Sequence, residues 1–247
     1  MGGVRVSGIG RLRGLQNLSW LAPRQLKRLA DAMIISRVAK HGTIFDKQRS
    51  PEYAYVLLSG VARITCRNRK GDRTLVMMVA PGMIPGVPLA AVGIRYNFRC
   101  EAITDCQIGT VTLATLIEIA LGIASVNFKH MAASYSGRWD LVRLRCSNFM
   151  GCTLEERIAL VLLELGETFG IRDRRGVRLM VLTRHQDVAE LVGASRSRIT
   201  ESLIGFERKQ LIVRDGRQLI VRRDLLESYL EQRHSSAHRR EFGAPRT

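Results

Sequence analysis

The sequence predicts an α+β protein in three parts: an antiparallel β-barrel or jelly roll, one long helix, and a C-terminal domain of short helices and a β-hairpin. Between residues 38 and 111, apolar segments and turns alternate at the roughly 8–12-residue spacing of antiparallel barrels. Between residues 125 and 152, apolar residues recur with the period of an amphipathic helix. Beyond residue 152, helix caps and turn signals mark the third part.

The composition indicates a folded protein with a polyanionic partner. The chain has 247 residues, 46% of them hydrophobic, so it can form a packed core in one or two domains and is not a disordered chain. The 39 Lys and Arg residues exceed the 22 Asp and Glu residues and give a net charge of +17, which predicts a polyanionic partner such as nucleic acid. Five scattered cysteines without a C-x-x-C pair argue against a disulfide framework or zinc module and predict a cytoplasmic protein.

No membrane partner is expected. Residues 74–94 are uncharged and long enough to span a bilayer, but Pro81, Pro85 and Pro88 would interrupt a helix there repeatedly. We therefore expect a buried strand followed by a tight loop. Residues 1–14 lack the apolar core of a secretory signal.

The first part, residues 1–124, begins with leucines at helical spacing, which predict a short helical entry over residues 11–37. Turn signals then separate predicted strands. These strands lie at residues 43–45, 53–58, 61–65 and 74–79.

The second part, residues 125–152, has one apolar seam flanked by charged residues, as a coiled-coil dimer requires. The seam consists of Phe128, Met131 or Ala132, Tyr135, Trp139, Val142, Cys146 and Phe149. It predicts a homodimer; the alternative is a helix packed against its own barrel.

The third part, residues 153–233, begins with a capping box formed by Thr153 and Glu156, and a basic, flexible tail follows over residues 234–247. The first helix is expected to reach residue 168. A polar loop over residues 170–177 and a short strand over residues 178–182 are expected next.

A second capping box, Thr183 with Gln186, begins a helix that ends at Gly193, and Ser195 caps the helix after it. Asp215-Gly216 between two β-runs then predicts a hairpin. Two helices across a tight turn and a hairpin together indicate a winged helix-turn-helix that binds double-stranded DNA. The alternative is a generic helical pair.

The start of the second helix offers free amides and the positive end of the helix dipole to a phosphate or a major-groove edge. The residues expected to face the major groove are Arg196, Ser197, Arg198, Thr200 and Glu201. The residues expected to contact phosphates are Thr183, Arg184, Ser195 and Arg217.

From about residue 20 to residue 230, the chain resembles the superfamily of the cyclic-AMP receptor protein and the fumarate-nitrate reductase regulator, the Crp/Fnr superfamily. The matching segments are residues 42–45, 55–64, 71–72, 81–82 and 182–212, above all Val192-Gly193-Ala194-Ser195-Arg196. The resemblance implies a cyclic-nucleotide-binding-type β-roll, a dimerising helix and a winged-helix DNA-binding domain. It also implies RNA polymerase as a partner.

The sequence departs from this family where cyclic AMP would bind. The family's Gly-Glu pair aligns with Gly86-Val87, and an aliphatic Val87 cannot accept the ribose hydroxyl. We therefore expect either an effector other than cyclic AMP, such as a cyclic dinucleotide or another small anionic ligand, or no effector. The candidate effector-binding residues are Arg63, Gly86, Arg95, Tyr96, Asn97 and Arg99. The alternative for the arginines is that they are solvated strand charges.

No cofactor or metal site is expected. The N-terminus lacks the cysteine cluster of iron-sulfur regulators, and we interpret His41 and His130 as surface or helix-flank residues and not as haem ligands. Cys100 and Cys106 are expected to be small core residues.

The reading helix also departs from the family. Ser197 stands where relatives have Glu and Glu201 where they have Arg, which predicts a target motif unlike that of the cyclic-AMP receptor protein. The leading hypothesis is a dimeric transcription regulator that binds a near-palindromic DNA site. The alternative is a sequence-tolerant DNA-architectural protein with a vestigial sensor. No catalytic constellation stands out, so we do not expect an enzyme.

Overall fold

The structure, a computed structural model, forms two compact units, Met1–Arg143 and Leu144–Thr247. The boundary between the units falls inside the segment predicted to be the dimerisation helix. The residues that the structure describes are 9–46, 52–67, 73–85, 98–122, 129, 143–144, 146–148, 150–180, 184–216 and 218–241.

The helices of the first unit pack beside its β-roll. They are α1 (Ile9–Arg13), a 3₁₀ turn (Gln16–Leu18), α2 (Pro23–Ala32) and α3 (Leu113–Leu121). Pro23 suits the first position of α2 because its φ is already helical and a missing N–H costs nothing there. Gln25 joins α2 to α3, since its Oε1 accepts from the Ala22 N–H at 2.8 Å and its Nε2 donates to the Gly122 carbonyl at 2.8 Å.

The roll consists of two antiparallel sheets, with strand orders β1-β7-β3 and β2-β6-β4-β5. The described strands are β1 (Ile34–Val38), β2 (Thr43–Phe45), β3 (Tyr53–Ser59), β4 (Ala62–Arg67), β5 (Arg73–Val79), β6 (Arg99–Ala102) and β7 (Cys106–Thr112). All four predicted strands are therefore confirmed, and the jelly-roll alternative is the correct one.

The prediction of a helical entry up to residue 37 was wrong at its end. The helix stops at Ala32, and residues 34–38 form β1, paired with β7. The β-branched pair Ile34 and Ile35 favours an extended strand over a helix, and the pairing with β7 satisfies its backbone groups.

Two apolar clusters stabilise the first unit. One fills the space between the two sheets and includes Phe45, Tyr55 and Ile108. Phe45 is fully buried and stacks on Tyr55 with ring centroids 5.1 Å apart. Cys100 and Cys106 are buried in the same cluster, which confirms them as core residues. The other cluster packs α1, α2 and α3 against the outer face of the β1-β7-β3 sheet.

The second unit surrounds a four-stranded sheet of order β10-β11-β9-β8 with helices. Its elements are α4 (Leu154–Phe169), β8 (Gly170–Asp173), β9 (Gly176–Leu179), α5 (His185–Val192), α6 (Arg196–Arg208), β10 (Ile212–Asp215), β11 (Gln218–Val221) and α7 (Arg223–Glu241). Thr153 and Glu156 form the predicted capping box at the start of α4: the Thr153 N–H donates to Glu156 Oε2 at 2.7 Å.

Two predictions for this unit need correction. Residues 170–177 were expected to be a loop, but β8 and β9 form a hairpin there, because Gly176 adopts a positive φ of 146° that turns the chain. The segment from residue 234 was expected to be a flexible tail, but α7 continues as a helix to Glu241.

The described part of the segment 125–152 is helical at residues 129, 143–144, 146–148 and 150–151. Cys146, a predicted seam residue that the structure describes, is exposed, as are Leu144, Ser147 and Met150. The other predicted seam residues lie outside the described residues. Among the helices that the structure describes, none is both long and apolar enough to cross a membrane.

Candidate nucleic-acid interface

A tight turn joins α5 to α6, as the sequence predicts. Gly193 lies in the left-handed region with φ 68° and ψ 48°, where a residue with a Cβ would be strained. The Ala194 N–H donates to the Ala189 carbonyl at 3.0 Å and closes the end of α5. Ser195 caps α6 because its Oγ accepts from the Arg198 N–H at 3.5 Å. The helix-turn-helix is thus held by local backbone chemistry.

Apolar residues hold the two helices together in the second unit. Those of α5 are Val188, Ala189 and Val192, and those of α6 are Ile199, Leu203 and Phe206; all six are buried. This arrangement leaves the opposite side of α6 in solvent.

The start of α5 differs from the prediction. The helix begins at His185 with Arg184 at the N-cap position, and Arg184 makes no side-chain cap bond. The predicted partner Gln186 instead donates from Nε2 to Glu190 Oε1 at 3.3 Å. A start at His185 places Asp187 at the third helical position, so the expected capping box with Gln186 does not form. Thr183 lies outside the described residues.

Five of the residues predicted to contact DNA are exposed along the turn and the first two turns of α6. They are Ser195, Arg196, Ser197, Arg198 and Glu201. Arg184 at the start of α5 is also exposed. These side chains are clustered by the helix-turn-helix and present guanidinium, hydroxyl and carboxylate groups to a ligand.

Thr200 is half-buried and its hydroxyl is used within the protein. It donates to the Arg196 carbonyl at 2.9 Å, so its oxygen is left to accept from His185 Nδ1, which lies 2.7 Å away. This bond braces the first turn of α6 against α5. Sequence reasoning missed His185 because the contact joins residues of two different helices.

The imidazole of His185 is held in its neutral form. Its pKa lies below the ordinary value chiefly because the ring is partly buried, and also because Arg214 and Arg196 lie nearby; Glu207 acts in the opposite direction. The neutral ring that donates from Nδ1 has an unprotonated Nε2, which can accept a hydrogen bond.

The outermost stripe of α6 contains two residues that the sequence reasoning did not select. Ser197, Glu201, Ile204 and Arg208 follow one another at four-, three- and four-residue steps and are all exposed. With 3.6 residues per turn, this stripe lies directly opposite the buried Ile199, Leu203 and Phe206. The helical period of these positions is the sequence signal that identifies Ile204 and Arg208.

The hairpin after α6 forms as predicted, with Gly216 at φ 58° in its turn. Asp215 is paired with two arginines of the β8–β9 hairpin: Arg175 Nη2 at 2.6 Å and Arg178 Nη2 at 3.0 Å. The hydrogen bond from Arg175 is the largest cause that lowers the pKa of Asp215. These pairs link β10 to the neighbouring hairpin. Arg217 lies outside the described residues.

Two of the arginines proposed to bind an effector, Arg63 and Arg99, converge on a carboxylate. Glu101 is buried and lies opposite Arg63 in the β4–β6 pairing. Its Oε2 lies 3.1 Å from Arg63 Nη2 and 3.0 Å from Arg73 Nη1, and its Oε1 lies 3.2 Å from Arg99 Nε. Arg99 also donates to Thr43 Oγ1. The structure thus brings Arg63 and Arg99 together, through a glutamate that sequence reasoning missed.

This cluster faces away from the space between the sheets. Arg63 alternates with Ala62 and Ile64, and Glu101 with Cys100 and Ala102, and these four apolar neighbours belong to the core between the sheets. The remaining candidates, Gly86, Arg95, Tyr96 and Asn97, lie outside the described residues.

Comparisons with known proteins agree with this architecture. A family model described as a cyclic nucleotide-binding domain matches residues 35–121, and one described as a Crp-like helix-turn-helix domain matches residues 156–229. The nitrogen fixation regulation protein FixK of Azorhizobium caulinodans is 25% identical over 194 residues, which are 75% of this chain and 74% of FixK. The CRP-like cAMP-activated global transcriptional regulator of Mycobacterium tuberculosis is 22% identical over 189 residues, 72% of this chain and 80% of that protein.

Solved structures share the fold. FixK2 from Bradyrhizobium japonicum has a TM-score of 0.67 at 21% identity and covers 79% of this chain and 96% of its own. The c-di-GMP responsive global regulator CLP of Xanthomonas campestris has a TM-score of 0.65 at 17% identity and covers 81% of this chain and 99% of its own. The chain belongs to the Crp/Fnr superfamily. It is a transcription regulator in which a cyclic-nucleotide-binding domain is followed by a DNA-binding helix-turn-helix.

Proposed function

We propose that this regulator acts as a homodimer that reads a near-palindromic DNA site with the exposed start of α6. The observation that supports the proposal most strongly is the cluster of Arg196, Ser197, Arg198 and Glu201 on a helix fixed by Gly193. Arginine binds guanine through two hydrogen bonds, and glutamate accepts from the amino group of cytosine. These residues therefore read bases of the half-site.

The register on DNA comes from phosphate contacts around this helix. Arg184 and Ser195 are exposed next to the turn, and Thr183 and Arg217 are the further predicted phosphate contacts. Such contacts position the helix without reading sequence.

Dimerisation is assigned to the apolar seam of residues 125–152. The apolar residues of this segment recur at the spacing of a face that a second copy would cover. A two-fold dimer carries two reading helices about one turn of DNA apart, which is why the site is near-palindromic. As a transcription regulator, the dimer would also meet RNA polymerase at promoters.

The sensor domain is proposed to respond to an anionic effector other than cyclic AMP, or to none. Relatives are described as cAMP-activated and as c-di-GMP responsive, so nucleotide effectors occur among proteins of this fold. One feature argues against the usual cyclic-AMP mode: Val87 stands where the family has the glutamate that accepts the ribose hydroxyl. An anion at Arg63 and Arg99 would have to share them with Glu101.

Random-site selection on double-stranded DNA tests the reading function, with and without cyclic mono- and dinucleotides. We expect one enriched motif with two-fold symmetry. The same nucleotides are tested by thermal shift, because a ligand that binds the folded state raises its melting temperature. Failure to enrich any symmetric motif under all conditions would overturn the proposal.

A sequence-tolerant architectural protein is the second candidate, favoured by the position of the positive charge. Residues 1–152 contain 21 Lys and Arg and 8 Asp and Glu, whereas residues 153–233 contain 15 and 13. An architectural protein would bind all duplexes with nearly equal affinity, dominated by the salt-dependent term.

A further inference from the structure

We propose that Ile204 reads the methyl group of a thymine in the half-site, and that Gly205 allows the DNA to approach the helix closely beside it. The inference rests on the proposed function, reading of DNA by α6, and names a residue that determines its specificity. It comes from the part of α6 beyond its first two turns.

Ile204 lies in the middle of the outermost stripe of α6, the side that faces DNA in the proposed function. The stripe of Ser197, Glu201, Ile204 and Arg208 is opposite the buried face of α6 and therefore points away from the protein core. The side chain of Ile204 is 41% exposed. The other residues of the stripe are polar or charged. An isoleucine in this setting has no apolar partner on its own stripe.

The distance along the helix suits a base contact. Ile204 follows Ser197 by seven residues, which is about 10 Å of helix rise. Bases on one strand are about 3.4 Å apart, so a stripe of this length can meet more than one base of the groove in which the helix lies. A helix lying in the major groove therefore brings Ser197, Glu201 and Ile204 to successive parts of the half-site.

The chemistry of the major groove supplies one apolar group, the C5 methyl of thymine. Arginine, serine and glutamate satisfy the hydrogen-bonding edges of the other bases. Burial of the thymine methyl against Ile204 removes both apolar surfaces from water, and no hydrogen bond is left unmade. A thymine of the half-site is therefore the expected partner of Ile204.

The surroundings of Gly205 are a second, independent observation. It lies inside α6 with helical backbone angles, so no left-handed conformation requires glycine there. A Cβ built on it meets nothing within 4 Å, so packing in the described protein does not require glycine either. Glycine nevertheless weakens a helix interior relative to alanine. A duplex seated on Ile204 would come close to α6 at this open position.

The test starts from the duplex that the full-length wild-type protein selects. Each thymine of the half-site is replaced in turn by deoxyuridine, which lacks only the methyl group. We expect one position at which this replacement weakens binding by about fourfold, the ratio that corresponds to about 0.8 kcal/mol for one buried methyl group. In Ile204→Ala, deoxyuridine at that position should have no further effect.

Two further variants separate an effect on DNA contact from an effect on the fold. Leu225→Ala removes an apolar side chain of similar exposure, 44%, from α7 and should leave the deoxyuridine effect intact. Gly205→Ala should raise the melting temperature and yet weaken binding to the selected duplex, a combination that a purely structural role would not produce.

The outcomes separate this inference from the proposed function. If the wild-type protein selects no motif, DNA reading itself is rejected. If a motif is selected but no deoxyuridine replacement matters, or if its effect persists in Ile204→Ala, the role of Ile204 is rejected while the proposed function stands. If Gly205→Ala binds the selected duplex as tightly as the wild-type protein, close approach at Gly205 is rejected.

Discussion

Polar side chains around the start of α6 divide into those used inside the protein and those left for a ligand. The hydroxyl of Thr200 is used inside, between the Arg196 carbonyl and the His185 ring. The guanidinium groups of Arg196 and Arg198 are exposed. The same helical turn thus provides a brace on one side and candidate base contacts on the other.

Removal of Arg196 tests its assignment as a base contact. Arg196→Ala should lower affinity for the selected duplex by about 5- to 150-fold, which corresponds to about 1–3 kcal/mol for one bidentate arginine–guanine contact. It should also relax selection at one base pair. Arg172→Ala, which removes the same charge from the exposed face of β8, is the matched control. Equal losses in both variants, measured by fluorescence anisotropy, would show that Arg196 contributes charge only.

His185 provides a prediction of pH dependence. Its pKa in the folded protein should lie below the unfolded value of about 6.5, because burial and the charges of Arg214 and Arg196 disfavour the imidazolium. The stability that the neutral ring contributes is fully present above the unfolded pKa and is lost as pH falls through it toward the folded value. NMR titration of the histidine rings, assigned with His185→Gln, measures this pKa. Arg214→Gln should raise it, and an unchanged value would contradict the electrostatic contribution.

Some of these residue contacts could be predicted from the sequence and others could not. The exposed arginines of α6 could be predicted, because caps and helical period fix which side of a short helix faces solvent. The His185–Thr200 bond joins two helices, and the pairing of Arg63 with Glu101 depends on strand register, which a single sequence does not specify. Both contacts therefore appear only in the folded protein.

Elements with local signals were predicted most successfully. The Thr153 cap, the Gly193 turn and the Asp215-Gly216 hairpin depend on neighbouring residues alone, and all three are present. The β8–β9 hairpin was missed because Arg174 and Arg175 at its turn indicate a polar loop, whereas β9 is held by pairing with both β8 and β11. The structure of the β8–β9 hairpin therefore depends on tertiary strand pairing, which its local sequence does not show.

Gly193, in the turn between α5 and α6, provides a prediction about the stability of the helix-turn-helix. Gly193→Ala places a Cβ in the left-handed region and should destabilise the second unit by about 1–2 kcal/mol. Gly205→Ala, at helical backbone angles, should stabilise it, because alanine is the better helix former. Thermal unfolding followed by circular dichroism measures both. Similar melting temperatures for the two variants would contradict the assigned backbone conformations.

At the scale of the whole molecule, positive charge is concentrated away from the reading domain. The net charge is +13 over residues 1–152 and +2 over residues 153–233. Three of the basic residues, Arg24, Lys27 and Arg28, lie exposed on α2. Under the proposed function, specific reading depends on the placement of a few arginines, while exposed charge on the first unit can act on a longer polyanion.

Charge reversal on α2 tests whether flanking DNA contacts the first unit. Arg24→Glu, Lys27→Glu and Arg28→Glu together should reduce the dependence of log affinity on log salt, since each lost phosphate contact removes about 0.9 from the slope. Titrations of a long and a short duplex that share the selected site make the comparison, and only the long duplex should be affected. An unchanged slope on both would reject contact with flanking DNA.

In the proposed function, a dimer of this chain reads two half-sites with two α6 helices, so affinity should depend on the spacing of the half-sites. The selected duplex is compared with one in which five base pairs are inserted between its half-sites, which turns one half-site to the opposite face of the DNA. We predict that affinity falls to the level of a duplex with a single half-site, because the two reading helices are held about one DNA turn apart. Equal affinity for the two spacings would contradict a dimer with fixed reading helices.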